Sequence, residues 1–470
     1  MTKLCYLSAT EMTARIQRKE FSCEDLMKDT FSQIERLDDK VHAWVYLNKD
    51  LVLENSRQMD KKMAAGSKVG HLVGVPVGVK DVFNTKYMPT QMGSPIWKDF
   101  TPGNDARVVH YLQMADSIVA GKTVTAEFAV HAPGPTANPH NIDFMPGTSS
   151  SGSAAAVASY MVPISIGTQT AGSVLRPASY CGVYGFKPSF GLLPRTAVLK
   201  TTDTLDTIGG FARTIEDISV LFETIRVKGR DFPISEKALN DDTRQAKGPG
   251  DKWKVALVTG PKWDCAESYA QSAIKQFAEK LAKLPSVEVT EFALPASFST
   301  AHDIHSTIYD RTLAHYFKSE FEQHTLVSAV MYDIVNRGNK LTPADYRVAL
   351  QKQVDICREL DQLFVDKFDI ILNLTTGGEA LKGLDSVDRP DNCLIWTLCH
   401  VPALNLPVFT GPNQLPFGAQ IVARRHNDRL LLNFARYLEA NNILPGCPMP
   451  LLARPEESGS LTAAGERVSR

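Results

Sequence analysis

The chain has 470 residues, of which 43% are hydrophobic and 22% are charged. These fractions are typical of a globular protein with enough apolar residues for a large core, and they exclude a fibrous or largely disordered chain. The 51 basic and 52 acidic side chains nearly cancel, so the overall charge gives no indication of a nucleic-acid partner.

The sequence also predicts where the protein works. Its N-terminus is too polar for a signal peptide, and no apolar run of about 18 residues indicates a membrane span. The eight cysteines are scattered along the chain, which is typical of free thiols in a reducing compartment. We therefore expect a cytoplasmic protein that binds neither membrane nor nucleic acid. The oligomeric state stays open, and a homodimer is compatible with the sequence.

The N-terminal part is predicted to be helical. Ser8 and Glu11 have the spacing of a capping box, and Ser22 with Asp25 starts a second helix in the same way. A third amphipathic run covers residues 51–65.

Strands and helices then alternate along the chain, which predicts an α/β protein. Apolar and β-branched runs predict strands at 72–82, 118–120, 162–166, 253–258, 287–292, 369–372 and 416–422. Periodic runs predict helices at 106–114, 153–160, 267–284, 302–321, 343–368 and 428–439. Residues 121–123 are predicted to form a turn, and the polar stretch 226–252 an exposed connection or flexible insertion.

We expect one domain over residues 1–455, with its functional motifs at about 70–220, and a mobile tail at 456–470. The most informative segment is 146–188, which is rich in glycine, serine, threonine and alanine. Two clusters of small hydroxyl residues, at 148–151 and 168–173, lie on either side of an apolar stretch. Upstream, Lys80 follows a valine-rich strand. Serines with one lysine can perform acyl transfer without histidine.

Two other interpretations of this segment are weaker. A flexible linker would not contain strand-like and helix-like apolar runs. A phosphate-binding loop would use Gly147 and Gly152, but Ser153 stands where that loop needs lysine. The sequence also lacks the nucleophile elbow G-x-S-x-G and the metal motif H-E-x-x-H.

The pattern of motifs resembles the amidase signature family. The matching stretches are GVPVGVKD at 74–81, GTSSSGS at 147–153, GTQTAGSVLRPA at 167–178 and CGVYGFKP at 181–188. Similar stretches follow at 207–217, 402–407 and 416–422, so the resemblance covers nearly the whole chain. It implies the fold of that family, a mixed twisted central sheet with helices on both faces.

The resemblance also implies roles for individual residues. Ser173 corresponds to the nucleophile, Ser149 to a serine that follows a cis peptide bond, and Lys80 to the base. The oxyanion donors by position are the backbone N–H groups of Thr170, Ala171, Gly172 and Ser173, and Ser150 supports the network. Burial among Val75, Val77 and Val79 would lower the pKa of Lys80 enough for it to act as a base. Lysine and serines supply this chemistry, so no metal or organic cofactor is expected.

The sequence departs from the family pattern at two linked positions. Gln169 replaces an aspartate, and Leu175 replaces the arginine two residues after the nucleophile. A buried charge is costly without its partner, which explains why both are missing together. We expect Gln169 to make neutral hydrogen bonds and Arg176 to substitute for the missing arginine. Ala171 also replaces a glycine, so its position must accept a Cβ.

These observations predict an enzyme that hydrolyses a carboxylic amide through an acyl-enzyme on Ser173. Two alternatives stay open: the A subunit of a glutamyl-tRNA amidotransferase, and an inactive amidase-like binding protein. The substrate is predicted to be a small amide, with Tyr309, Arg311 and Trp396 as candidate contacts because they lie in regions that line family pockets.

Overall fold

The computed structural model of the protein describes residues 3–248 and 250–455. The described residues form eleven strands, which are β1 Trp44–Leu47, β2 Pro76–Lys80, β3 Ile118–Thr123, β4 Ile164–Gln169, β5 Tyr184–Lys187, β6 Thr207–Ala212, β7 Trp253–Leu257, β8 Val287–Glu291, β9 Ile370–Leu374, β10 Ala403–Thr410 and β11 Pro416–Ala423. They also form sixteen α-helices, which are α1 Ala9–Gln17, α2 Cys23–Val41, α3 Lys49–Ala64, α4 Arg107–Met114, α5 Ser151–Ala158, α6 Leu175–Cys181, α7 Ile215–Ile225, α8 Pro233–Leu239, α9 Asp242–Gln245, α10 Ser268–Ala282, α11 Ala301–Tyr316, α12 Lys318–Phe321, α13 Ala329–Lys340, α14 Pro343–Asp366, α15 Cys393–Leu398 and α16 Asp428–Ala440.

All the strands belong to one mixed sheet, as predicted. Their order is β1-β3-β2-β4-β6-β5-β10-β11-β9-β7-β8. The parallel pairs are β2 with β3, β2 with β4, β7 with β8 and β7 with β9, and the other neighbours run antiparallel. Lys80 ends β2 and Gln169 ends β4, and because these strands are parallel neighbours, both residues lie at the same edge of the sheet.

Both faces of the sheet are covered by helices. Successive side chains of a strand point to opposite faces. Along β9, Ile370 and Leu372 pack into one apolar cluster, while Ile371 packs into another. The first cluster includes buried residues of α7 and α16, and the second includes residues of α11 and α14. The helices therefore form layers on either side of the sheet.

The predicted turn at 121–123 is wrong, because these residues continue β3. The turn was predicted because of Gly121, but this glycine lies within a strand and allows β1 to approach closely. A Cβ at this position would lie 2.6 Å from the carbonyl oxygen of Tyr46 in β1. Lys122 is the next residue of β3 and forms a buried ion pair with Asp81 at 3.0 Å.

The stretch 226–252 is not simply an exposed connection, which corrects a second prediction. It contains α8 and α9, and Leu239 and Gln245 are buried. The Gln245 side chain donates to the carbonyl of Ala238 and accepts from the backbone N–H of Arg429. This amide therefore ties α9 to the start of α16.

The predicted helix at 302–321 is two helices, α11 and α12, which are separated at Phe317. That residue is buried, and its ring lies 4.7 Å from the ring of Phe128. The strands β1, β5, β6 and β10 were not predicted, and neither were the helices α6, α7, α8, α9, α13 and α15. The predicted tail at 456–470 lies outside the described residues, and in residues 3–248 and 250–455 no helix is long and apolar enough to cross a membrane.

Candidate active site

Lys80 lies at the centre of a buried group of hydroxyls. Its Nζ lies within hydrogen-bond distance of Ser149 Oγ at 2.7 Å, Ser150 Oγ at 3.0 Å and Thr168 Oγ1 at 2.9 Å. The side chain is completely buried, and burial lowers its pKa well below the ordinary value, while the negative charge of Asp206 opposes this shift. The site therefore favours a neutral amine at this position.

The neighbouring Lys122 shows a different environment for a buried lysine. It is as buried as Lys80, but it pairs with the Asp81 carboxylate at 3.0 Å and donates to the carbonyl of Pro89 at 2.8 Å. Among the described residues, no carboxylate forms an ion pair with Lys80. Only Lys80 thus combines complete burial with neutral hydrogen-bond partners on this pair of strands.

The serines of the first cluster are held at the start of α5. The peptide bond between Thr148 and Ser149 is cis. The carbonyl of Ser149 accepts from the backbone N–H of Ala126 at 3.1 Å. Ser150 Oγ donates to the carbonyl of Thr168 at 3.1 Å, which ties this cluster to β4. A Cβ at Gly167 would lie 2.7 Å from that hydroxyl, so the close approach requires glycine.

The loop 170–174 joins β4 to α6 and presents a row of backbone N–H groups. The four amides of residues 170–173 donate to no other atom in the part of the chain that the structure describes. Buried backbone N–H groups are nearly always paired. Four successive free donors in a buried loop are an arrangement that can bind a negatively charged oxygen.

Gln169 fixes the conformation of this loop by neutral hydrogen bonds, as the sequence predicted. Its Oε1 accepts from the N–H groups of Val174 at 2.9 Å and Leu175 at 3.0 Å. Its Nε2 donates to Thr397 Oγ1 at 2.9 Å, and that hydroxyl donates to the carbonyl of Ala171 at 2.7 Å. One amide side chain thus holds both ends of the loop.

Arg176 is the charged residue nearest to the loop in sequence, and its partners come from far along the chain. Its Nη1 contacts Asp388 Oδ2 at 2.7 Å, and its Nε contacts Asp391 Oδ2 at 2.7 Å. Asp388 also accepts a hydrogen bond from Thr148 Oγ1, one residue before Ser149. A Cβ at Gly172 would lie 2.6 Å from Arg176 Nη2, so the guanidinium packs directly against the loop.

Ser173 stands at the end of the row of free amides. Its side chain is buried but retains 7% exposure. Its hydroxyl has no hydrogen-bond partner in the described residues, and in particular none joins it to Ser149. Catalytic hydrogen bonds can form only when substrate binds, so a contact between Ser173 and Ser149 stays a prediction.

A cavity of about 370 Å³ lies next to this site, and its lining residues include Thr168 and Thr170 but neither Ser149 nor Ser173. Thr168, which contacts Lys80, and Thr170, which begins the loop, both line it, together with Asp206 and Arg195. Asp206 accepts from Thr170 Oγ1 at 2.9 Å and from the N–H of Thr201 at 2.8 Å. The volume is in the range of small-molecule sites.

The three predicted substrate contacts are placed differently. Tyr309 is buried in α11 and stacks on His305 at 5.6 Å, and this histidine is hydrogen-bonded to the carbonyl of Thr170 at 2.9 Å. Arg311 does not line the cavity and forms no ion pair within the described chain. Trp396 is wholly buried in the second apolar cluster, and its role as a substrate contact stays a prediction.

The sequence reasoning missed several residues of the site. Thr168, Asp206, Asp388 and Thr397 were not predicted, although the first lies within the second hydroxyl cluster. The remaining three carry no local signal, because each acts through a contact with a distant segment.

The chain is similar to known proteins over most of its length. A family model described as Amidase matches residues 25–432. The chain is 32% identical to the glutamyl-tRNA(Gln) amidotransferase A subunit of a Picosynechococcus species, over 90% of this chain and 95% of that protein. The protein of the same description from Carboxydothermus hydrogenoformans is 30% identical, over 93% of this chain and 98% of that protein.

Solved structures have the same fold. The glutamyl-tRNA(Gln) amidotransferase A subunit from Thermotoga maritima has a TM-score of 0.78 at 25% identity, and the match covers 96% of this chain and 98% of that one. A crystal structure of an amidase has a TM-score of 0.82 at 24% identity, covering 93% of this chain and 100% of its own, which shows likeness of fold alone. The sequence match and the fold together define an amide-hydrolysing enzyme. The chain belongs to the amidase signature family.

Proposed function

We propose that this enzyme hydrolyses a linear carboxylic amide, R–CO–NH2 or R–CO–NHR′, to the acid and ammonia or an amine. The observation that supports this most is the buried amine of Lys80, which contacts three hydroxyls and no carboxylate. A neutral lysine can accept a proton, and an ammonium cannot.

The proposed reaction starts with a relay of two protons. Neutral Lys80 takes the proton of Ser149 Oγ while Ser149 takes that of Ser173. Ser173 Oγ then bonds to the amide carbonyl carbon, and the C–N bond breaks as Lys80 and Ser149 return a proton to the leaving nitrogen. Water attacks the resulting ester, gives up a proton through the same relay and releases the acid and Ser173.

The free amides of loop 170–173 support the same proposal. The carbonyl oxygen gains negative charge when Ser173 attacks, and fixed N–H donors stabilise it most at that moment. One donor of this kind contributes about 3–4 kcal/mol in other enzymes. Gln169 would keep these donors in place through its bonds to both ends of the loop.

A second candidate function is that of a glutamyl-tRNA amidotransferase A subunit. It is favoured by the relatives of that name, which match over almost their full length. Such a protein would release ammonia from the amide of glutamine for use by a partner. The purified chain alone should then hydrolyse glutamine poorly, and a partner should co-purify with it.

The first test uses the nucleophile. We expect a fluorophosphonate to label the protein and the Ser173→Ala variant to lose both labelling and ammonia release from small amides. Ser179→Ala is a matched control, because this serine is also buried and lies in α6, where it contacts Thr376 instead of the site. Equal labelling of the Ser173→Ala variant would contradict the mechanism, and absence of any labelling would favour an inactive binding protein.

A second test separates the two enzyme functions. Aliphatic, aryl and urea-type amides are compared with glutamine as substrates of the chain purified alone. Turnover of small amides in preference to glutamine supports the proposed function, whereas activity on glutamine that requires a co-purified partner would support the alternative. A cytoplasmic location and action without nucleic acid stay predictions.

A further inference from the structure

A second and larger cavity lies away from Lys80 and the serines. Its volume is about 860 Å³, and it is bordered by α9, α14 and the residues that follow β11. Its charged lining residues are Arg244, Arg358, Asp361, Arg424 and Arg425, and we call it the arginine cavity. Nothing in the amide chemistry described above uses these residues.

The charges of the arginine cavity do not balance. Asp361 is its one carboxylate, and Arg424 binds it with two parallel contacts of 2.7 and 2.8 Å. Arg244, Arg358 and Arg425 form no ion pair with any described residue. Four arginines and one carboxylate thus line one cavity, and this excess of positive charge favours binding of an anion.

The position of Arg244 is fixed before any ligand binds. Its guanidinium donates to Asn427 Oδ1 and to the carbonyl of Arg425, both neutral acceptors. Burial first, and then the charge of Arg424, lower its pKa, and the charges of Asp361, Asp241 and Asp428 act against this shift. Preorganised donors that need no rearrangement increase the affinity for a matching ligand.

The pKa of His426, which lines the same cavity, depends in part on the positive charges there. Burial, followed by the charges of Arg425 and Arg244, lowers the pKa of His426 to about 4. This ring is therefore neutral near pH 7 and can donate or accept one hydrogen bond without adding charge. An anion that neutralised the arginines would raise the pKa of His426, which gives a local readout of binding.

We propose that the arginine cavity binds a small phosphate compound, either inorganic phosphate or a phosphate ester. Guanidinium groups bind phosphate oxygens through paired N–H donors. A tetrahedral phosphate accepts from arginines on three sides, whereas a planar carboxylate offers only two oxygens in one plane. The cavity is large enough for an ester with an organic group.

The test is calorimetric titration of the full-length protein at low salt with inorganic phosphate, pyrophosphate and glycerol phosphate. Succinate, a dianion without phosphate, is the comparison ligand. We expect the phosphate compounds to bind and the R358Q/R425Q double variant to bind about tenfold more weakly or worse, because two charge-assisted contacts are lost. Amide hydrolysis and thermal stability should be unchanged in that variant. The relative affinities for inorganic phosphate and glycerol phosphate distinguish the two sources.

The control is R107Q, which removes an exposed arginine of α4 that also forms no ion pair in the described chain. It should bind pyrophosphate like the unchanged protein. Equal affinity of the double variant, or succinate binding as tightly as phosphate, would overturn the proposal. In NMR titrations pyrophosphate should raise the pKa of His426 from about 4, and binding without that rise would place the anion elsewhere.

Discussion

At the scale of single residues, two buried lysines on neighbouring strands have different roles. Lys80 is proposed to act in catalysis, whereas Lys122 stabilises the fold through its ion pair. Lys80 contacts only hydroxyls, so Lys80→Met leaves no buried charge unpaired. We expect this variant to lose amide hydrolysis while its free energy of unfolding falls by about 1–3 kcal/mol, because buried hydroxyls lose a hydrogen-bond partner. Lys122→Met leaves the Asp81 carboxylate buried without its partner. Breaking a buried ion pair in this way lowers the free energy of unfolding by about 3–5 kcal/mol. Chemical denaturation measures the stability of the two variants, and ammonia release measures their activity. A K80M variant that keeps its activity would exclude this lysine from the mechanism.

The pH dependence follows from the same lysine. Its folded-state pKa is lowered, so the neutral, active form grows as pH rises through a value well below 10.5. We expect log kcat/KM to rise with a slope of one and then level off. Between the folded and unfolded pKa values the unfolded chain binds more protons, so the stability contributed by Lys80 increases with pH in that window.

The check is a pH profile of kcat/KM together with unfolding of the unchanged protein and of K80M across the same pH range. The difference in stability between the two proteins should grow with pH above the folded pKa and stay constant below it. A flat activity profile on the acid side would show that the lysine does not act as the base.

At the scale of elements, the loop between β4 and α6 depends on one amide. Gln169→Ala removes the acceptor of two N–H groups at the start of α6. We expect a loss of about 1–3 kcal/mol of stability from unpaired donors. The free amides would also move, and small displacements of this kind lower kcat by about 10²-fold. Steady-state kinetics should show the loss in kcat more than in KM.

The matched control for this loop is Gln420→Ala. Gln420 is also buried, and it donates to the carbonyl of Leu374 at 2.9 Å on β11, outside the site. Its loss should lower stability and leave kcat unchanged. If both variants lost the same activity, the loop would have no special dependence on Gln169.

At the scale of the whole molecule, features that depend on local sequence pattern could be predicted, whereas contacts between distant segments could not. The α/β class could be predicted from periodicity, which is a local property. The mixed sheet and the contact between Lys80 and Ser149 were implied by the family resemblance, and the contact of Ser173 with them stays a prediction. The prediction of a turn at 121–123 was wrong, because the glycine at 121 allows the backbone of β1 to approach closely. The pairing of Arg176 with Asp388 and Asp391 spans more than 200 residues, and no local pattern encodes it.

The continuous sheet leads to a prediction about cooperativity. Side chains of β9 enter both apolar clusters, so neither cluster can lose its packing without disturbing the strand that they share. We therefore expect one cooperative unfolding unit. Leu431→Ala in the first cluster and Leu313→Ala in the second each create a buried cavity and should cost about 2–5 kcal/mol.

Hydrogen exchange at increasing denaturant, followed by mass spectrometry, measures the opening free energy separately for peptides of α16 and α11. Each variant should lower the opening free energy of both peptides by the same amount, because global unfolding exposes both. If Leu313→Ala destabilised the α11 peptide and left the α16 peptide unchanged, the second cluster would be an independent folding unit.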